Sequence, residues 1–228
     1  MAALTASQIN NITSSNALDN LSSSGIGALS VGVVANLSSS ILNNLSSAQV
    51  QQLRPSGLTG IDTVASNALA FGGLSSSFAT ALTSTQVAAL TANEINAITS
   101  STVLQSLSSA GIANLSSAHT DQFSQLSANT FNNLSSNQIQ SLSPVGIDAF
   151  SSQGDPSNLT STTLQTLTSN QVSQLNSNDF YDFSTTAISS LSSAGMIALP
   201  DSTLQGLDVY PGLDSNVQAF ITNRFDQQ

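Results

Sequence analysis

The sequence predicts an all-α fold, an α-solenoid or superhelix of short capped helices with about eight residues per unit. Three observations predict it. A motif of the form L-[S/T]-x-x-x-[I/V]-x-x recurs along most of the 228 residues, helix-start signals fall in one frame of that motif, and the polar positions are almost all uncharged. A spacing of eight fits neither the 3.6-residue period of a continuous helix nor the two-residue period of a strand. Each unit must therefore restart the chain.

Units of eight begin at Leu37 (LSSSILNN), Leu45 (LSSAQVQQ), Leu82 (LTSTQVAA), Leu90 (LTANEINA), Leu107 (LSSAGIAN), Leu126 (LSANTFNN), Leu134 (LSSNQIQS) and Leu167 (LTSNQVSQ). Nine-residue forms begin at Ile12 (ITSSNALDN) and Ile98 (ITSSTVLQS), and an eleven-residue form at Leu115 (LSSAHTDQFSQ). The second position is the N-cap, where Thr83, Thr91 or Ser135 offers an oxygen to the first free amides of a helix. Three residues later Gln86, Glu94 or Gln138 completes a capping box. The Leu before the cap and the Val or Ile at the fourth helical position (Val87, Ile95, Ile139) form a hydrophobic staple. The eighth residue is often Asn (Asn36, Asn44, Asn114, Asn133), which predicts a left-handed helix end. A helix this short does not persist alone, since isolated helices need roughly 12–15 residues to be even marginal. Consecutive units must bury Leu and Ile on a shared seam, which is the logic of a solenoid.

A longer period groups the units. LSSSGIGAL at Leu21, LSSAGIANL at Leu107 and LSSAGMIAL at Leu191 stand 86 and 84 residues apart, and LRPSGL at Leu53 resembles LSPVGI at Leu142. Gly, Pro and departures from the motif predict bends near 54–73, 151–158 and 181–184. The organisation expected is an octad solenoid over 1–200 followed by a C-terminal cap segment over 201–228, with a longer helix from about Ser215. Terminal repeats need such a cover.

Composition limits function. Only 6% of residues are charged, Lys is absent, Arg54 and Arg224 are the only cations, and the net charge is −10. Affinity for nucleic acid comes from Lys and Arg displacing counterions, and attraction to anionic lipid needs the same groups, so no nucleic-acid partner is expected. No run approaches the roughly 18 apolar residues of a membrane span, so no membrane insertion is expected. The opening MAALTASQIN has neither a basic nor an apolar region of a secretory signal. The absence of Cys removes disulfide and thiol chemistry.

The phrase LTSTQVAALTANEINAI resembles the L-T-x-x-Q-[I/V]-x-A-L arrays of very large bacterial secreted or cell-surface repeat proteins. It is less closely similar to the superhelical repeats of the mesothelin and stereocilin family. The resemblance covers roughly Leu4 to Leu199 and implies a cell-surface, adhesive or matrix role without implying any catalytic residue. The same phrase resembles the opening of the DNA-binding repeats of plant-pathogen effectors, but the long paired-helix repeats and basic residues of that family are missing here.

No catalytic, cofactor-binding or metal-ligating set is expected. His119 is the only histidine, and beside Thr120 and Asp121 it reads as a solvated bulge in the expanded unit. Of eleven Asp and one Glu, Asp179 and Asp182 share a helix face and Asp201, Asp208 and Asp214 gather before the C-terminal segment, but no calcium-loop motif accompanies them. Seven Asn-x-Ser/Thr triplets, at Asn11, Asn20, Asn36, Asn44, Asn114, Asn133 and Asn158, follow automatically wherever Asn precedes a Leu-Ser or Leu-Thr start. The nine Phe read as core. The expectation is thus a non-catalytic, extracellular structural or adhesive repeat protein (matrix, spacer or self-assembling filament subunit) that associates with itself or with another surface or matrix protein. A solenoid binding scaffold for a peptide, glycan or protein is the alternative.

Overall fold

In the computed structural model the described residues are 4–12, 18, 20–61, 71–153, 156–208 and 212–226. Their regular secondary structure is all helical, in a solenoid-like arrangement of short helices with no strand among them. Two compact units divide the chain, Met1–Leu115 and Ser116–Gln228.

Helix starts follow the motif closely. Ser or Thr caps with extended backbone accept from the N3 amide at Ser22, Ser38, Ser46, Thr83, Thr91, Ser135, Thr168 and Ser192. Reciprocal capping boxes close at Thr5/Gln8, Ser46/Gln49, Thr83/Gln86, Thr91/Glu94, Ser135/Gln138, Thr168/Gln171 and Asn176/Asp179. The staple residues Leu82 with Val87 and Leu90 with Ile95 are buried.

Helix ends depart from the expectation. No non-glycine residue among those described has positive φ, and Asn44 and Asn133 sit at φ −93° and −91° in the right-handed region. The chain leaves each helix through a tightened last turn, for example Leu45 N–H to Leu42 O at 3.2 Å. Asn is favoured because its amide donates back one turn: Asn36 Nδ2 to Gly32 O at 2.8 Å, Asn44 to Ser40 O at 2.9 Å and Asn133 to Asn129 O at 3.0 Å. The left-handed end predicted for Asn is corrected accordingly: the backbone stays right-handed, and the side-chain amide bonds a carbonyl of the last turn.

The longer units at Ile98 and Leu115 absorb their extra residues in two ways, while most of the unit expected at Ile12 lies outside the described residues. At Ile98 the surplus residue enters before the cap, which moves to Ser100. At Leu115 no new helix starts; the helix Ser109–Ala118 runs through it and the next cap is at His119. The unit expected to begin at Leu115 is therefore an extension of its predecessor. Residues 62–70 and 154–155, inside two of the expected bends, lie outside the described residues. At 181–184 Phe183 takes the buried Leu position and Ser184 caps the helix Thr185–Ser189.

Packing runs between turns. In the first unit Ser23–Gly27 packs on Ser47–Val50, Val31–Val34 on Pro55–Leu58, and Ser76–Ala81 on Ser101–Gln105. In the second, Ser161–Thr166 packs on Thr185–Ser189, Ser169–Val172 on Ser193–Ala198, and Ser177–Asp182 on Asp201–Asp208. Each of these helices meets the one about three units along, so about 24 residues make a turn. The core is built from the residue before the cap and the N3 and N4 residues, as with Leu82, Gln86 and Val87 or Leu167, Gln171 and Val172. Each fully buried Leu, Ile or Val contributes roughly 1.5–3 kcal/mol, which offsets the ordering entropy that a five-residue helix alone cannot overcome.

Candidate functional site

The most elaborate polar chemistry among the described residues is a buried amide seam. Gln171 Oε1 accepts from Thr168 N at 2.8 Å and Thr168 Oγ1 at 3.1 Å, while its Nε2 donates to Ile139 O at 2.7 Å and Leu142 O at 2.9 Å. Two acceptor sites and two protons are all that an amide offers, so Gln171 is saturated. Gln86 repeats the pattern with Thr83 and the carbonyls of Val50 and Leu53 at 2.8 and 2.7 Å, and Gln49 does so with Ser46 and those of Leu18 and Leu21 at 2.8 and 2.7 Å. One residue thus caps its own helix and ties it to the preceding turn.

Asparagines at the last helical position form a second tie. Asn132 donates to Asn158 O at 2.8 Å and accepts from Thr160 N at 3.0 Å and Thr163 Oγ1 at 2.8 Å. Asn10 clasps Asn36 O and Ser38 N, and Asn43 clasps Gly73 O and Ser75 N, each bond 2.7–3.0 Å long. Ser116 does the same with shorter reach, its Oγ accepting from Ser143 N at 2.9 Å while its carbonyl accepts from Ser143 Oγ at 2.8 Å.

Both cationic residues and several acidic ones are spent on structure. Asp201 pairs with Arg224 at 2.9 Å, and Arg224 also donates through Nη1 to Ile197 O at 3.1 Å, fastening the helix Ser215–Phe225. Asp214 caps that helix, accepting from Asn216 N at 2.8 Å, and the buried Asp179 accepts from Asn176 N at 2.7 Å. Asp182's side chain lies outside the described residues. Arg54 donates to Gly27 O at 3.2 Å. Among the described residues no group of three His, Cys, Asp or Glu is placed to hold a metal. His119 is exposed and works through its backbone, its carbonyl accepting from Gln122 N and Phe123 N. No described helix is long and apolar enough to cross a membrane.

Glu94 stands where Gln49, Gln86, Gln138 and Gln171 stand in other buried boxes. It is fully buried, and its Oε2 accepts from Thr91 N at 2.7 Å, but a carboxylate cannot donate as Gln86 does to two carbonyls. Burial of a carboxylate is costlier than burial of a bonded amide. Glu94→Gln is expected to stabilise the protein at pH 7 by about 1–2 kcal/mol, read as a higher urea midpoint with an unchanged slope.

Among open surfaces, a shallow cleft of about 420 Å³ lies between the helices Ser47–Val50 and Ser76–Ala81, lined by Ser47, Gln51, Ser76, Ser77, Thr80 and Ala81. It offers neutral hydroxyl and amide groups and no charge. The inter-turn role of Gln and Asn was missed in the sequence because both partners of each bond are distant. The available signal was the recurrence of an amide at two fixed positions of the octad. No family model matches the chain, and neither a curated protein nor a solved structure matches it.

Proposed function

We propose that this chain is a non-catalytic structural or adhesive repeat module of the extracellular space or cell surface, acting as a matrix element, spacer or filament subunit. The observation that carries the reading is the use of its polar side chains. The buried amides and three of the carboxylates, Glu94, Asp179 and Asp214, cap helices or tie successive turns, Arg224 and Asp201 fasten the last helix, and the exposed remainder is dominated by neutral Ser, Thr, Asn and Gln. A surface of that kind carries almost no charge for nucleic acid or anionic lipid to use, and suits contact with copies of the chain or with another surface or matrix protein.

The test is fractionation of the source cells combined with light scattering and negative-stain microscopy of the purified protein. Recovery from the surface or medium, with particles that associate or coat surfaces, is expected. Recovery wholly inside the cell, or a monomer that adheres to nothing, would sink the reading. A binding scaffold is the second reading, favoured by the hydroxyl-lined cleft between Ser47 and Thr80, which suits an uncharged hydroxylated ligand such as a glycan. Glycan-array binding lost in Ser76→Ala with Thr80→Ala would favour it.

A further inference from the structure

One buried carboxylate occupies a position built for an amide. Gln49, Gln86 and Gln171 stand at N3 of their helices, close the capping box through Oε1 and donate both Nε2 protons to carbonyls of the preceding turn. For Gln86 those carbonyls belong to Val50 and Leu53. Glu94 stands eight residues after Gln86, at N3 of the helix Ala92–Ala97, and is fully buried. Eight residues after Val50 and Leu53 stand Leu58 and Ile61, both buried.

The backbone at Leu58 and Ile61 copies the one that Gln86 meets. Val50 and Leu58 are each the last residue of a four-residue helix. Leu53 N–H donates to Val50 O at 3.0 Å, and Ile61 N–H donates to Leu58 O at 3.0 Å. One octad step in both turns therefore brings residue 94 to the carbonyls of Leu58 and Ile61. The cap side of the box does not require a charge: Thr91 N donates to Glu94 Oε2 at 2.7 Å, and Thr83 N donates to the neutral Gln86 Oε1 at 2.8 Å. An ionised carboxyl has no proton to offer a carbonyl, whereas a neutral one has a single O–H donor.

We propose that Glu94 is a pH-operated tie between turns of the first unit: in acid its neutral carboxyl donates to the carbonyl of Leu58 or Ile61, and on ionisation that bond is lost. Burial and the two facing carbonyl dipoles both disfavour the anion and push the group above the usual glutamate range. The folded chain then holds the proton to higher pH than the unfolded one. The stability contributed by the tie is complete below the unfolded midpoint and is lost as pH rises through the folded one. The short helix Phe71–Gly73, which packs on Ala92–Ala97, and the flanking helices Ser84–Ala88 and Ser101–Gln105 carry no titratable side chain. On the preceding turn Arg54 is exposed and donates to Gly27 O. Asp62, which follows Ile61, lies outside the described residues. The tie goes beyond the structural role proposed above and stands without it.

Glu94 is the only glutamate of the chain, so carbon-13 labelling of glutamate alone gives one carboxyl resonance in the full-length protein. That resonance is expected to titrate about one pH unit or more above the ordinary midpoint of about 4.3. Hydrogen exchange, corrected for intrinsic rates, reads the tie itself. In Glu94→Gln the amides of Leu58, Thr59 and Ile61 are expected to be protected about tenfold more than in the unmodified chain at pH 7, and at most about twofold more at pH 4. Gln86→Glu should carry the same response to Val50 and Leu53, with protection lost at pH 7 and regained at pH 4. A Glu94 midpoint at or below the ordinary value overturns the proposal, as does a Glu94→Gln gain that is the same at both pH values. A response that Asp62→Asn removes and Glu94→Gln keeps assigns the titration to Asp62, and also overturns it.

Discussion

Gln171→Leu, a change that nearly conserves volume at a buried site, is expected to destabilise the second unit by about 3 kcal/mol or more. The substitution removes the acceptor for Thr168 N and the donors to the carbonyls of Ile139 and Leu142 together. Leaving a buried polar group unmade costs roughly 1–3 kcal/mol, and the Leu side chain recovers part of that through apolar burial. The companion Gln171→Glu separates the two halves of the amide. It keeps an oxygen for the cap and loses both protons to the preceding turn, so at pH 7 it should be at least as damaging as Leu. If Glu were as stable as Gln, the inter-turn bonds would count for little and capping alone would explain the residue. Hydrogen exchange read separately for each unit is the suitable measurement, because two compact units need not unfold as one.

That expectation also shows what the sequence could and could not reveal. The inner half of Gln171, facing its own cap, was legible because cap, box and staple are local: Thr168, Gln171 and Val172 lie within five residues. The outer half was not, because its partners Ile139 and Leu142 precede it by 32 and 29 residues. A periodicity of eight states that units repeat, but it does not state that three of them close a turn. The phrase shared by Leu21, Leu107 and Leu191 held that information in its glycine. Gly111 sits at N3 because Val87 presses there, and only the packing shows that a missing Cβ was the point. The Asn at the octad's end misled for a related reason. Its tolerance of positive φ is a local property, whereas its amide found the i−4 carbonyl instead. The absence of a catalytic or metal constellation was equally an expectation from residue types. Where the scattered carboxylates go, Asp179 to a cap and Asp201 to Arg224, required coordinates.

Phe131→Ala is expected to cost about 3–5 kcal/mol, comparable with or larger than the loss of a seam glutamine. Phe131 stands at N4 of the helix Ala128–Asn132, where most units place Val, Ile or Leu, and it is the middle of a buried trio. Its ring centroid lies 4.5 Å from that of Phe150 with a 31° tilt and 6.0 Å from that of Phe123 at 68°, while Phe123 and Phe150 meet edge-on at 6.4 Å. The trio belongs to the part of the second unit where the helices Thr120–Phe123 and Pro144–Gln153 break the eight-residue rhythm. Octads alone would leave more space there than aliphatic residues fill, and three aromatic rings supply the missing volume. A truncated ring leaves a cavity that helices of four to ten residues can close only by moving their caps. Phe131→Leu should therefore retain more than half of the lost stability, whereas a neighbouring exposed change such as Asn129→Ala should cost less than about 0.5 kcal/mol. If Phe131→Ala also fell within that surface range, the expanded elements would have to be held by the Ser116–Ser143 bonds and the Asn132 clasp, and the aromatic trio would be a consequence of their packing and not its support.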